Sequence, residues 1–174
     1  ETCMKIEGAC HCGAITYEAV VDPAKVTVCH CSDCQMLSGS AFRTVVPAPK
    51  ETFTLRTGQP KIYVKTAESG AKRVQAFCPE CGTPIYSSAV GDAPVFFIRV
   101  GTTRQRAQLR PKSQICAGPR CLGPSIVEQM LLGGVGVEVV PDFPQLFEGR
   151  LACGVQQLGV VLGGVFHHHH HLLD

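Results

Sequence analysis

The chain has 174 residues, 45% hydrophobic and 17% charged, with 16 Lys+Arg against 14 Asp+Glu. That is about one domain's length with enough apolar content to bury a core, and a net charge of +2 is too small to argue for a nucleic-acid partner. Outside the tail no apolar run is long enough to cross a membrane without Gly or a charge. No basic segment followed by an apolar run opens the chain, so no export signal is expected and a cytoplasmic location is.

The elements read as β in chain order. Residues 14–21 are β-branched and roughly alternating, and stop at Asp22 and Pro23. Residues 42–46 form a second strand expected to end at Pro47. Residues 52–56 and 61–65 alternate across a turn at 57–60 that contains Gly58 and Pro60. Residues 73–77 run into Cys78, and 85–86 and 95–100 are two further strands. Residues 107–112 read as a short connector. Long helical periodicity is absent, so the expected class is mainly β.

A composition break falls near Ile115. Residues 1–115 carry 14 Lys+Arg against 9 Asp+Glu, a net of +5, whereas 116–174 carry 2 against 5, a net of −3, with no Lys. The second part holds ten glycines, which weaken either regular structure, and no element is assigned there. Its run His167 to His171 reads as purification-tag sequence and is set aside from metal reasoning. The expected organisation is a domain over 1–115 and an atypical tail over 116–174.

Eleven cysteines are many for this length, and their clustering gives them meaning. Seven lie between Cys10 and Cys81, as Cys10/Cys12, Cys29/Cys31/Cys34 and Cys78/Cys81. Cysteines one or two residues apart make strained disulfides but good metal ligands, because a tight turn aims two sulfurs at one ion. With no export signal expected, a reducing compartment and zinc thiolates are the simpler reading. A closed structural site wants four ligands. Cys78 and Cys81, followed by Gly82, form a knuckle that supplies two; Cys10 and Cys12 can supply the others. Cys29, Cys31 and Cys34 then remain, and three protein ligands with a vacant fourth position is the catalytic pattern. Three thiolates make that site soft and suit a sulfur substrate. Ser38, Gly39 and Ser40 follow closely and could line its pocket.

Other partitions stay open at this level. The closed site could draw on Cys29, Cys31 or Cys34, and the three-cysteine site could be closed by His11 or by His30, which could equally face solvent. Cys3 reads as a free thiol. Redox use of Cys78 and Cys81 lacks the βαβ context that motif needs.

These motifs, with Gly8 to Gly13, Cys29 to Gln35, Ser38 to Ser40, Arg73 through Pro84, Val100 to Thr102 and Arg110 to Ile115, resemble the glutathione-dependent formaldehyde-activating enzyme family, also called the CENP-V/GFA domain. The resemblance covers roughly residues 4–115. It implies a β-tent fold of stacked antiparallel sheets, two zincs per chain and a carbon–sulfur lyase acting on a thiol such as glutathione. It assigns Cys10, Cys12, Cys78 and Cys81 to the structural zinc and Cys29, Cys31 and Cys34 to the catalytic one. The alternative function is a zinc-stabilised binding module without catalysis. Arg43, Lys72, Arg73 and Arg99 are candidates to grip glutathione's carboxylates, and an exposed β edge could pair two copies of the chain. After Ile115 the sequence leaves the family's aromatic-rich closing segment. One choice of codons for that segment, with an early G removed, reads as Cys116 to Leu122, so the tail is taken as a frameshifted reading.

Overall fold

The computed structural model of the chain describes residues 3–67 and 70–115, and the backbone of 138–139. The expected β class holds, in two sheets. A three-stranded antiparallel sheet runs β1 (Met4–Ala9), β2 (Thr16–Val21) and β5 (Thr54–Thr57). The larger sheet contains β3 (Thr27–Cys29), β4 (Arg43–Pro49), β6 (Lys61–Thr66), β7 (Lys72–Phe77), β8 (Pro84–Ala89), β9 (Val95–Arg99), β10 (Ser113–Ile115) and β11 (Glu138–Val139). Its strand order is β11-β10-β3-β4-β9-β8-β7-β6. All pairings are antiparallel except those β10 makes with β3 and β11, which are parallel. No described helix is long and apolar enough to cross a membrane.

The core lies between the sheets. Ile6, Tyr17, Ala19 and Val21 of the small sheet form one buried cluster with Val46, Ala48, Ile85 and Ile98 of the large one. Strand alternation produces this: β2 buries every second residue, Tyr17, Ala19 and Val21, which points a continuous apolar stripe at the partner sheet. Tyr17 is wedged by Gly8, where an added Cβ would come within 2.1 Å of the tyrosine ring. The Tyr17 hydroxyl is tied to Thr102 Oγ1 at 2.6 Å.

Four departures from the sequence reading have physical reasons. β4 runs on through Pro47 and Pro49 instead of ending at the first. β3 pairs with residues 43–45 only, so beyond Val45 the strand has β9 as its ladder partner. A proline whose nitrogen faces the unpaired side gives up no ladder bond. The turn at 57–60 does not close a hairpin, since β5 and β6 lie in different sheets. Gly58 takes φ +70 there, packed against the Ala14 carbonyl, and carries the chain from one sheet to the other. A helix, α1 (Ser32–Ser38), sits where no helical period was legible. Cys3 is disulfide-bonded, not the free thiol expected. It is the one described cysteine outside the three motifs, so no thiolate cluster claims its sulfur. The tail and its frameshift reading lie outside the described residues, apart from the backbone of β11.

Candidate metal centres

The first centre forms where two hairpin loops from different sheets meet. The β1–β2 loop brings Cys10 and Cys12; the β7–β8 loop brings Cys78 and Cys81. Both loops turn on left-handed glycines, Gly13 at φ +80 and Gly82 at φ +71, a region closed to most side chains. Gly13 N donates to Cys10 O at 3.1 Å and Gly82 N to Cys78 O at 2.9 Å. These turns expose the sulfurs on the inside of each bend. His11 N donates across to Thr83 Oγ1 at 3.1 Å, stitching the loops together.

The four sulfurs draw together, with Cys10 to Cys12 at 3.5 Å and Cys12 to Cys78 at 3.8 Å. All four ligand atoms lie within 4.8 Å of one another. None is in a disulfide, and a tetrahedron with metal–sulfur bonds of about 2.3 Å has edges of about 3.8 Å. The electrostatics point the same way. The Thr83 hydroxyl, then the Thr83 and Cys12 amides, pull the Cys81 thiol down to about 5. The Ala14 amide lowers Cys12, but the adjoining Cys10 and Cys81 outweigh it and push that thiol up to about 12. Four thiolates this close repel one another unless a cation sits among them, so the donor set fits a metal ion.

The second centre is built from β3 and α1. Cys29 ends β3. Cys31 is the N-cap of α1, its sulfur accepting from the Cys34 amide at 3.4 Å, and Cys34 lies in the helix's first turn. Cys29 and Cys31 sulfurs are 3.6 Å apart, and the three ligand atoms again fall within 4.8 Å. Cys29 lowers the Cys34 thiol, but Cys31 and burial outweigh it and the net shift is upward. This set also fits a metal ion. No fourth His, Cys, Asp or Glu among the described residues joins it.

The remaining candidates are placed as follows. His30 is 2% exposed, with its ring 5.8 Å from that of Phe42 and both ring nitrogens lacking a partner. It neither faces solvent nor enters the cysteine group. His11 stands outside the four-sulfur group as well. Ser38 and Ser40 direct their hydroxyls to the carbonyls of Cys34 and Phe42, and the Gly39 and Ser40 amides bond Gln35 O. Those groups close the C-terminus of α1, where all three residues are exposed.

The sheet register explains what surrounds the second centre. Cys29 stands opposite Arg43, Val45 opposite Arg99, Phe97 opposite Ser87, and Ser87 opposite Gln75. Residues directly opposite, and those two apart on a strand, share a face. Cys29, Arg43, Arg99 and Gln75 therefore lie on one face, away from the intersheet core that takes Val46 and Ile98. Arg43, Arg99 and Gln75 are all buried. Gln75 was not singled out by sequence; the period-two placement of polar residues in β7 was its one signal. Lys65 of β6 pairs with Asp33 of α1 and holds the helix on this face. Of the other two cations, Lys72 is exposed and Arg73 lies over the Phe97 ring at 5.7 Å.

Comparison with known proteins gives the following matches. An uncharacterized lyase of Schizosaccharomyces pombe is 26% identical over 110 residues, covering 63% of this chain and 77% of the relative. A crystal structure of a Rhodobacter sphaeroides protein, 18% identical, covers 77% of this chain and 99% of its own at a TM-score of 0.48. The profile of the glutathione-dependent formaldehyde-activating enzymes matches residues 5–118. With well over half its length matched, including all seven clustered cysteines in order, this chain belongs to the glutathione-dependent formaldehyde-activating enzyme family.

Proposed function

We propose that the chain is a zinc-dependent carbon–sulfur lyase acting on thiol adducts of an aldehyde, with S-hydroxymethylglutathione as the adduct to test first. The observation that carries this reading is the three-sulfur group of Cys29, Cys31 and Cys34, which has no fourth donor among the described residues. The four-sulfur group of Cys10, Cys12, Cys78 and Cys81, by contrast, has four donors. A closed set holds structure and an incomplete one leaves room for substrate. The family and the lyase among its relatives support the reaction class. Zinc at the three-cysteine group would supply a Lewis acid and a template that favours the thiolate form of a bound thiol.

The chemistry balances without a redox partner. In the forward direction the thiol sulfur bonds to the aldehyde carbon, the carbonyl double bond opens, and its oxygen takes the thiol's proton. The lyase direction breaks the same carbon–sulfur bond and returns the proton to sulfur. The chain's own residues hold the geometry. Cys29 is fixed in the ladder of β3, Cys31 and Cys34 by the first turn of α1, and Arg43 donates to the carbonyls of Asp33 at 3.4 Å and Cys34 at 3.5 Å. A small thiol such as glutathione is the expected partner.

The test uses zinc-loaded protein with glutathione and formaldehyde, following the exchange rate of S-hydroxymethylglutathione by NMR against the spontaneous rate. Acceleration by the parent and its loss in Cys31→Ser supports the reading. No acceleration by fully loaded protein removes this adduct as substrate. A parent that binds metal at the four-cysteine group alone leaves the non-catalytic binding module as the function.

A further inference from the structure

The three-cysteine group lies beside two guanidiniums that have no carboxylate partner among the described residues. Arg43 and Arg99 are 7% and 5% exposed. Neither takes part in an ion pair among the described residues. Both instead donate to one neutral oxygen, Gln75 Oε1, Arg43 Nη1 at 3.3 Å and Arg99 Nη2 at 2.8 Å. Arg99 Nε is buried with no acceptor among the described residues. Buried cations of like sign, sharing one amide oxygen, are costly unless an opposite charge is near. The thiolate group on the same face supplies opposite charge to the pair. Burial, then the like charge of Arg43, pulls the Arg99 guanidinium down to about 9, while Cys34 and Cys29 pull it back up. A guanidinium keeps its charge at neutral pH.

A charge count shows what this pair is sized for. Three thiolates around a dication leave one net negative charge, and a fourth thiolate brings it to two. Two guanidiniums balance the four-thiolate state and over-balance the three-thiolate one. We propose that Arg43 and Arg99 are specificity-determining residues that make the vacant position of the three-cysteine site select an anionic ligand, a substrate thiolate, over a neutral one. This rests on the reading of that site as open. Arg99, with its unpaired Nε, carries the selection. Arg43 also braces the start of α1, so its loss has a second, structural effect.

The test uses the full chain with His167 to His171 replaced by serine, loaded with cobalt(II), and titrated separately with 2-mercaptoethanol and imidazole. Thiolate binding is read in the cobalt–sulfur charge-transfer band and imidazole binding in the visible d–d bands. Arg99→Met is expected to raise the Kd for the thiol about tenfold or more and to leave that for imidazole within about twofold, with cobalt stoichiometry unchanged. Arg99→Lys, which keeps the charge, is expected to recover much of the thiol affinity. An unchanged thiol Kd in both Arg99→Met and Arg43→Met, against a parent that binds thiol, overturns the proposal and leaves the open site standing. Equal weakening of both ligands, or loss of a cobalt, also overturns it, because the arginines would then only brace the fold. A loaded parent that binds neither ligand ends the open-site reading and the proposal with it. If neither methionine variant folds, the parent's own preference decides: thiol bound no more tightly than imidazole overturns the selection.

Discussion

Replacing Cys78 with serine should remove any metal held between the two loops and cost a calculable amount of stability. Cys78 is fully buried and its sulfur faces Cys12, 66 positions away in the chain, at 3.8 Å. A metal shared by the two loops acts as a clip closing that long loop. Loop-closure entropy for a cross-link of this span comes to about 4 kcal/mol. A serine hydroxyl is a poor zinc ligand beside a thiolate, so Cys78→Ser should forfeit most of that. Guanidinium denaturation in zinc-replete buffer is the assay. With a slope of about 4 kcal/mol/M for a domain of this size, the midpoint should fall by about 1 M. Chelator should lower the parent toward the variant and move the variant much less. A Cys78→Ser protein with the parent's midpoint and the parent's metal content would refute the reasoning, since the loops would then be held by something other than the shared ion.

Four further outcomes follow from the packing and the charges. Gly8→Ala would drive a Cβ into the Tyr17 ring, which Thr102 and a 5.2 Å stack on Phe53 hold in place, so it should destabilise by about 1–3 kcal/mol in thermal or chemical melts. Ile98→Ala, at a fully buried core position, should cost about 2–5 kcal/mol while leaving metal content unchanged; a lost metal would mean the core and the sites are not separable. Arg56, then Lys5, holds the Glu18 carboxyl below its ordinary value. Its contribution is present above the unfolded pKa of about 4.3 and is lost as pH falls toward the lower folded value. The parent should therefore lose stability more steeply than Glu18→Gln below about pH 4, and parallel acid titrations would contradict this. If residues 116 onward are a frameshifted reading, sequencing the coding DNA against its parent locus should reveal a displaced base, and an unbroken frame there removes the idea.

The legibility of this protein divides along physical lines. Strands such as β2 and β7 were readable because each alternates and ends on a turn or a knuckle. β3 was not, because Thr27, Val28 and Cys29 are too few to show a period, and its place in the sheet comes from pairing with β4 and β10. α1 was hidden for a similar reason. Its seven residues are short of two full helical repeats, and what fixes it is the Cys31 cap, the left-handed Gly39 and the Lys65–Asp33 pair. The grouping of cysteines was legible from spacing, since C-x-C and C-x-x-C turns bring sulfurs together locally. The choice among the four cationic candidates was not. Arg43 and Arg99 differ from Lys72 and Arg73 only in which strand neighbours cover them, and that is a property of the register. His30 could not be read as buried either, since its burial depends on Phe42 and on where β3 sits in the sheet.

The central claim is that the chain carries two separate centres, one complete and one open. Metal content per chain tests it most directly, measured with the histidine run replaced, for the parent and for Cys31→Ser. About two ions in the parent falling to about one in the variant, with the folded β signature retained, is the predicted result. One ion in the parent, unchanged by the substitution, would contradict it and leave the four-cysteine clip as the protein's single metal site.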